Sequence, residues 1–340
     1  GLDVLNGIVY MTADGNPNSA KNFYIADTND IVKGTSSGLF ATFANNFKAG
    51  EKLNDLKVAR LSDGKVYAFV ARDTKTGQFQ VIDVSDIYNP VSKGIFQLEN
   101  VDEDGSYPQA WRVYYYNNRV YVTTRYTDGP ELHVFDVSNP GSIYEMGNGT
   151  ELGLTVNGFS VTEKTIDGIF YRFAYMATSA ESRELFILNL TDPLNISEIA
   201  GASKDLADYP DGNTVFLIGN NLYFGRDSSG PNSGNFDLYI FDATNPMAAT
   251  GGLPIVQTAD IGTSVLGIVV TGPYIFMTTK KANSEFQVWT SDPAQPITKV
   301  NTTNYNFPNI VGSLKYENNW VYVASQGNDP LRILYGGPAN

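Results

Sequence analysis

A short aromatic strand returns seven times along the chain, and no other feature limits the fold so tightly. The copies are Val9-Tyr10-Met11, Val66-Tyr67-Ala68, Val120-Tyr121-Val122, Ala174-Tyr175-Met176, Leu222-Tyr223-Phe224, Ile275-Phe276-Met277 and Val321-Tyr322-Val323. From ring to ring they lie 57, 54, 54, 48, 53 and 46 residues apart. An even period of that size, built on strand-forming residues, means one supersecondary unit copied along the chain.

The unit can be read in order. A first segment alternates apolar residues, as in Ala110-Trp111-Arg112-Val113-Tyr114-Tyr115-Tyr116. A short turn follows: Asn6-Gly7, Asp63-Gly64, Asn117-Asn118, Asn220-Asn221, Gly272-Pro273 or Asn318-Asn319. Asn and Gly tolerate the positive φ of tight hairpins, so the aromatic strand is expected to pair back on the first segment. A third strand then ends in a polar turn, as in Phe79 to Asp86, Leu132 to Pro140, Leu185 to Pro193 and Leu238 to Pro246. Its closing Ser/Thr-Asp/Asn-Pro stops the ladder, because Asx side chains mimic a turn and Pro lacks the N–H. A weaker fourth strand is expected at Ser92 to Leu98 and Pro254 to Ala259.

Seven units of four antiparallel strands, with no helical periodicity, predict an all-β, seven-bladed β-propeller. A solenoid is the competing reading, set lower because its repeats are shorter. One domain is expected over 1–340, with repeats near 1–50, 51–104, 105–152, 153–206, 207–262, 263–308 and 309–340. The last repeat ends after its third strand, at Gly336-Gly337-Pro338, so the seventh blade is expected to have three strands or to be completed from upstream of Gly1. An open strand edge of that kind is a template for self-assembly.

The third-strand signature resembles the LVIVD-repeat family of bacterial and archaeal propellers, most clearly at Phe79 to Pro90, Leu132 to Pro140, Leu185 to Pro193 and Leu238 to Pro246. The resemblance implies an exported or surface-displayed propeller, commonly one module of a larger protein. The opening Gly1-Leu2-Asp3-Val4-Leu5-Asn6-Gly7 is similar to propellers that follow a pilin-like N-terminal helix in some uncultured bacteria. The chain starts at Gly1 inside a repeat, so a processed or trimmed N-terminus is expected.

Composition removes several classes of function. The formal net charge is −13 and the pI about 4.5, which argues against nucleic acid and anionic membrane surfaces as partners. There is no Cys, hence no disulfide and no thiolate metal site. No apolar run approaches the roughly 20 residues of a spanning helix, so no membrane insertion by this segment is expected. His133 is the sole histidine, sits within a regular strand alternation, and is read as structural or solvent-exposed. Zinc, haem and a Ser-His-Asp triad therefore have no basis, and phosphate-binding glycine motifs are missing.

Calcium is the cofactor left open, because it needs only oxygen ligands. Its candidates are Asp102 and Asp104, with Asp27, Asp30 and the loop Arg226 to Asp237 as further acidic stretches; solvated turn residues are the alternative. Four glycosylation sequons begin at Asn148, Asn189, Asn195 and Asn301, close to what chance gives in this composition. Candidate binding residues come from the loops leading into the innermost strands: Asp55, Tyr107, Trp111, Arg112, Asn157, Tyr209, Asp211, Tyr305, Phe307 and Asn309. Rings beside amides, an Arg and carboxylates suit a protein or glycan partner, while rings that merely cap the core are the alternative. With no catalytic constellation, the expected function is a non-enzymatic extracellular or cell-surface binding or adhesion module. A structural subunit of a pilus-like or envelope assembly is one alternative. A polysaccharide-active enzyme using two carboxylates is the other.

Overall fold

The computed structural model describes residues 1–13, 22–29, 39–42, 51–98, 107–125, 127–206, 210–228, 235–292, 294–300, 305–307, 311–325 and 330–337. The fold is an all-β propeller of seven blades. Blade 1 is β1 (Leu2–Leu5), β2 (Ile8–Thr12), β3 (Phe23–Asp27) and β4 (Leu39–Thr42); blade 2 is β5 (Lys52–Arg60), β6 (Val66–Asp73), β7 (Phe79–Asp83) and β8 (Val91–Phe96). Blade 3 is β9 (Ala110–Tyr116), β10 (Arg119–Thr124), β11 (Leu132–Asp136) and β12 (Tyr144–Glu145). Blade 4 is β13 (Val156–Ile166), β14 (Ile169–Thr178), β15 (Leu185–Asn189) and β16 (Ser197–Glu198). Blade 5 is β17 (Gly212–Ile218), β18 (Asn221–Arg226), β19 (Leu238–Asp242) and β20 (Ile255–Ala259). Blade 6 is β21 (Val265–Thr271), β22 (Tyr274–Thr279) and β23 (Phe286–Thr290); blade 7 is β24 (Val311–Glu317), β25 (Trp320–Ser325) and β26 (Leu331–Tyr335).

The three-stranded seventh blade agrees with the sequence reading, and the sixth blade also has three strands. Among the described residues, the outer position of blade 6 holds isolated bridges, Phe286 with Tyr305 and Trp289 with Lys299. The third strands fall where the repeated signature puts them. Turns mostly do too: Asn117 and Asn118 take φ of 45° and 61°, Asn318 and Asn319 50° and 68°. Two turns differ. In blade 5 the pair Ile218–Asn221 closes the hairpin, so the turn is Gly219-Asn220, with Gly219 at φ 58°. In blade 2 the pair Arg60–Val66 leaves a five-residue connection around Asp63-Gly64.

The chain divides into two compact units: Gly1–Thr155 with Glu317–Tyr322 and Ile333–Asn340, and Val156–Tyr316 with Val323–Arg332. Within each, successive sheets stack face to face, and the period-two geometry of a strand deals alternate residues to two cores. In the first unit, Val66, Ala68 and Val70 of β6 pack with Tyr10, Ile25 and Leu56. The intervening Tyr67, Phe69 and Ala71 pack instead with Val113, Val120, Val122 and Phe135. In the second unit Leu222 and Phe224 join Phe173, Tyr175 and Ile187, while Tyr223 joins Val265, Ile275 and Met277. This explains the recurring aromatic strand: it is the second of its blade, buried on both faces. Each such side chain contributes roughly 1.5–3 kcal/mol by leaving water.

Two polar devices repeat with the blades. The strand-terminal Asx residue closes a turn on the N–H two positions on: Asp83 to Ser85 at 3.1 Å, Asp136 to Ser138 at 2.8 Å, Asn189 to Thr191 at 3.0 Å, Asp242 to Thr244 at 2.8 Å. A second device sits just before the third strand. Gln78 accepts the Leu98 N–H at 3.0 Å, Glu131 those of Leu152 and Gly153 at 2.7 and 3.0 Å, and Glu184 that of Leu206 at 2.9 Å. Asp237 accepts from Ile261 and Gly262 at 3.0 and 2.9 Å, and Glu285 from Phe307 at 3.1 Å. Each ties the chain leaving the outer edge back to its own blade. Burial pushes the carboxyls of Glu131, Glu184 and Asp237 up, against the downward pull of these N–H groups.

Candidate binding rim

The first strands of five blades share a β-bulge near their N-terminal end. Pairing skips one residue each time: Asn54, Trp111, Asn157, Asn213 and Leu266. A bulge re-aims the skipped side chain. In three blades it becomes a clamp on the next blade's first strand: Asn54 Nδ2 donates to Ala110 O at 2.7 Å, Asn157 Nδ2 to Gly212 O at 2.9 Å, and Asn213 Nδ2 to Val265 O at 3.1 Å. Asn157 also donates to Ser179 Oγ at 2.9 Å. Glycine follows the clamp at Gly158, where a Cβ would lie 2.7 Å from Thr214 Cα. Asn157, expected at a binding surface, thus has its amide engaged in holding blades together.

Blade 3 breaks this pattern, since Trp111 stands where its neighbours have Asn. The Arg125 guanidinium carbon lies 4.1 Å from the Trp111 ring centroid and that of Arg112 4.6 Å. The Trp111 Nε1–H is buried and has no hydrogen-bond partner among the described residues. Arg112 faces Asp55, whose carboxylate also accepts the Val113 N–H at 3.1 Å. Burial alone would push Asp55 up; Lys57, Arg112 and the Val113 N–H outweigh it and hold the carboxyl below the ordinary range. Burial lowers the Arg112 guanidinium, with Asp55 opposing that shift and Arg125 adding to it. Tyr107 donates its hydroxyl to Asp73 Oδ1 at 3.0 Å; its phenol is pushed up by desolvation and by that carboxylate. Asp55, Tyr107, Trp111 and Arg112 all belong to the first unit, and Trp111, Arg112 and Asp55 form one cluster.

A second polar cluster lies at the same blade positions in the second unit. Asp227 N donates to Asp211 O at 2.8 Å. The Asp227 carboxylate accepts from Asn213 Nδ2 at 2.7 Å and from Lys280 Nζ at 3.1 and 3.3 Å. Its neighbour Asp211 is pushed up, first by burial and then by the Asp227 charge. Burial acts upward on Asp227 as well, but Asn213 and Lys280 pull it below the usual carboxylate range. Two adjacent carboxyls thus move in opposite directions.

Other expected residues sit elsewhere. Phe307 is 2% exposed, packs edge-on against Phe286 at 6.0 Å and lies under the Arg332 guanidinium at 4.8 Å. Tyr305 packs against the same Phe286 ring at 5.6 Å. Tyr209, Asn309, Asp102 and Asp104 lie outside the described residues. His133 is buried, with Nδ1 at 2.7 Å from Glu145 Oε1 and Nε2 at 3.1 Å from Pro130 O, a structural position. Among the described residues, no three His, Asp or Glu side chains gather as a metal site.

Sequence reasoning missed Arg125 and Lys280, both of which follow the second strand of their blade. It also missed the side-chain acceptors before the third strand, although Gln78, Glu131, Glu184 and Asp237 recur at intervals of 53; of these, Asp237 entered only as the end of a candidate calcium loop.

Residues 64–97 and 109–150 match the model of the LVIVD repeat. No curated protein matches the chain. Among solved structures, a chain of the mitotic checkpoint complex is similar over 99% of this chain and 90% of its own, with a TM-score of 0.66 and 13% identity. YCF48 bound to D1 peptide is similar over 98% and 89%, with a TM-score of 0.60 and 7% identity. For dihydro-heme d1 dehydrogenase NirN in complex with DHE the shares are 99% and 63%, the TM-score 0.54 and the identity 14%. Such identities carry the fold and nothing finer.

Proposed function

We propose that this chain, an LVIVD-repeat β-propeller, is an exported or cell-surface binding module that takes a protein partner on the blade-3 rim around Trp111. The observation that carries the reading is the substitution of the repeated clamp. Where blades 2, 4 and 5 use Asn to hold the next blade, blade 3 presents a large ring and gathers two guanidiniums on it. Trp and Arg are the residue types that most often dominate the energy of a protein interface. Propellers commonly bind proteins, and the similar structures include one with a bound peptide and one from a multiprotein complex. Export and surface display rest on the family resemblance.

The test is a peptide and glycan array probed with the chain and with Trp111→Ala. Loss of specific binding in the variant is the expected result. Binding that survives unchanged removes Trp111 from the site.

The opposed shifts of Asp211 and Asp227 favour one second reading, a carboxylate-based polysaccharide-active enzyme. It predicts new reducing ends from a polysaccharide panel, abolished by Asp211→Asn. A panel left intact by the wild-type chain counts against it.

A further inference from the structure

We propose that Arg125, laid against the Trp111 ring, is the docking point for the carboxylate of an acidic peptide; this deepens the binding reading above and rests on it. The first argument is a comparison of equivalent blade positions. Arg125, Asp227 and Lys280 each follow the second strand of their blade, and Asp73 ends that of blade 2. In blades 5 and 6 the acid of one blade, Asp227, is met by the cation of the next, Lys280, at 3.1 Å. The corresponding pair in blades 2 and 3 is Asp73 and Arg125, and there the acid is taken instead by the Tyr107 hydroxyl at 3.0 Å. Asp55 faces Arg112 and accepts the Val113 N–H at 3.1 Å. Among the described residues no carboxylate is ion-paired with Arg125, which is exposed.

The second argument is geometric. A guanidinium stacked on a ring uses its face and leaves its in-plane N–H fork open, the arrangement that receives a carboxylate with two parallel bonds. The Arg125 guanidinium carbon lies over the indole at 4.1 Å from its centroid, and the Arg125 backbone N–H donates to Gln109 O at 3.0 Å, which fixes the point from which the side chain starts. The neighbouring Arg112 adds positive charge to a chain whose net charge is −13, so a local anion site is built against the overall field. A peptide is favoured over a glycan because the Trp111 ring already carries two guanidiniums, whereas sugars stack on bare aromatic faces.

The probe is acetyl-Glu-Glu-Glu-amide, compared with its Gln counterpart and with an oligogalacturonate, followed on the Trp111 Nε1–H resonance, which every Arg125 variant retains. The expected result is a saturable shift with the Glu peptide alone. Arg125→Gln should weaken binding about tenfold or more, and Arg125→Lys should restore only part of it, since a point charge lacks the fork. Equal responses to Glu and Gln peptides, or an unchanged affinity in Arg125→Gln, overturn the inference. Tighter binding of the oligogalacturonate assigns the site to a glycan and overturns it as well. If Arg125→Gln leaves array binding intact while Trp111→Ala abolishes it, the binding module stands and only this inference fails; array binding untouched by either removes both.

Discussion

Glu131 offers a quantitative test of the buried acceptors that anchor each outer edge. Its carboxylate is fully buried and accepts the N–H groups of Leu152 and Gly153 at 2.7 and 3.0 Å, with Thr127 N more distant at 3.4 Å. Glu131→Ala leaves two donors without their acceptor, at about 1–3 kcal/mol for each that stays buried, and removes packed methylene as well. An expected loss of about 3–5 kcal/mol follows. Glu131→Gln keeps an oxygen for both donors, as Gln78 does for Leu98 at 3.0 Å, and should cost about 1 kcal/mol or less. The charge itself is not what stabilises the site. Burial, and then the neighbouring Glu151, push the Glu131 carboxyl up despite its N–H donors. A carboxyl raised in the folded state binds its proton more tightly folded than unfolded. Its contribution is therefore complete below the unfolded value and is lost as pH rises through the folded one. Relative to Glu131→Gln, the wild type should thus gain stability as pH falls from neutrality toward the ordinary carboxylate range. Urea unfolding of the three proteins at pH 7 and pH 5 measures this directly. A Gln variant as damaged as Ala, or a wild type that weakens relative to Gln on acidification, would refute the reasoning.

Other outcomes test the rim. Asn157→Ala removes the clamp on Gly212 O and should cost about 1–2 kcal/mol, read as a lower urea midpoint, while Asn157→Asp should be worse because a carboxylate then faces a carbonyl. Gly158→Ala drives a Cβ to 2.7 Å from the Thr214 backbone; faster amide exchange in β17 is the expected readout, and unchanged protection would contradict the close approach. Lys280→Ala removes the cation that helps hold Asp227 down, so a carboxyl titration by carbon NMR should show Asp227 and Asp211 both moving up, with a stability change below about 1 kcal/mol.

What could be read in advance was local. The aromatic strand, the hairpin turns and the Asx-terminated third strand are each complete within a few residues, so the blades and their order follow from the amino acids alone. Phe307 misled because its neighbours Tyr305 and Asn306 mark a loop, whereas Glu285 draws its backbone N–H inward and buries the ring. The Trp111–Arg125 contact was hidden for a different reason. It depends on the bulge that pairs Thr124 with Ala110 while Thr123 pairs with Arg112, and a one-residue slip has no compositional mark. Glu131 bonds to a residue 21 positions away, beyond any turn or strand motif. Only superposing the repeats reveals it.

The fourth strands of blades 3 and 4 are just two residues long, Tyr144–Glu145 and Ser197–Glu198. A ladder that short cannot set the path of the chain, and the buried acceptors at Glu131 and Glu184 recapture it before the following blade begins. The stretch between is therefore insulated: whatever is inserted there is corrected at the next anchor and not passed along. Insertions or tags after Pro140 or Pro193 should leave every later blade in register, which makes the outer edge the part of this protein most free to diversify.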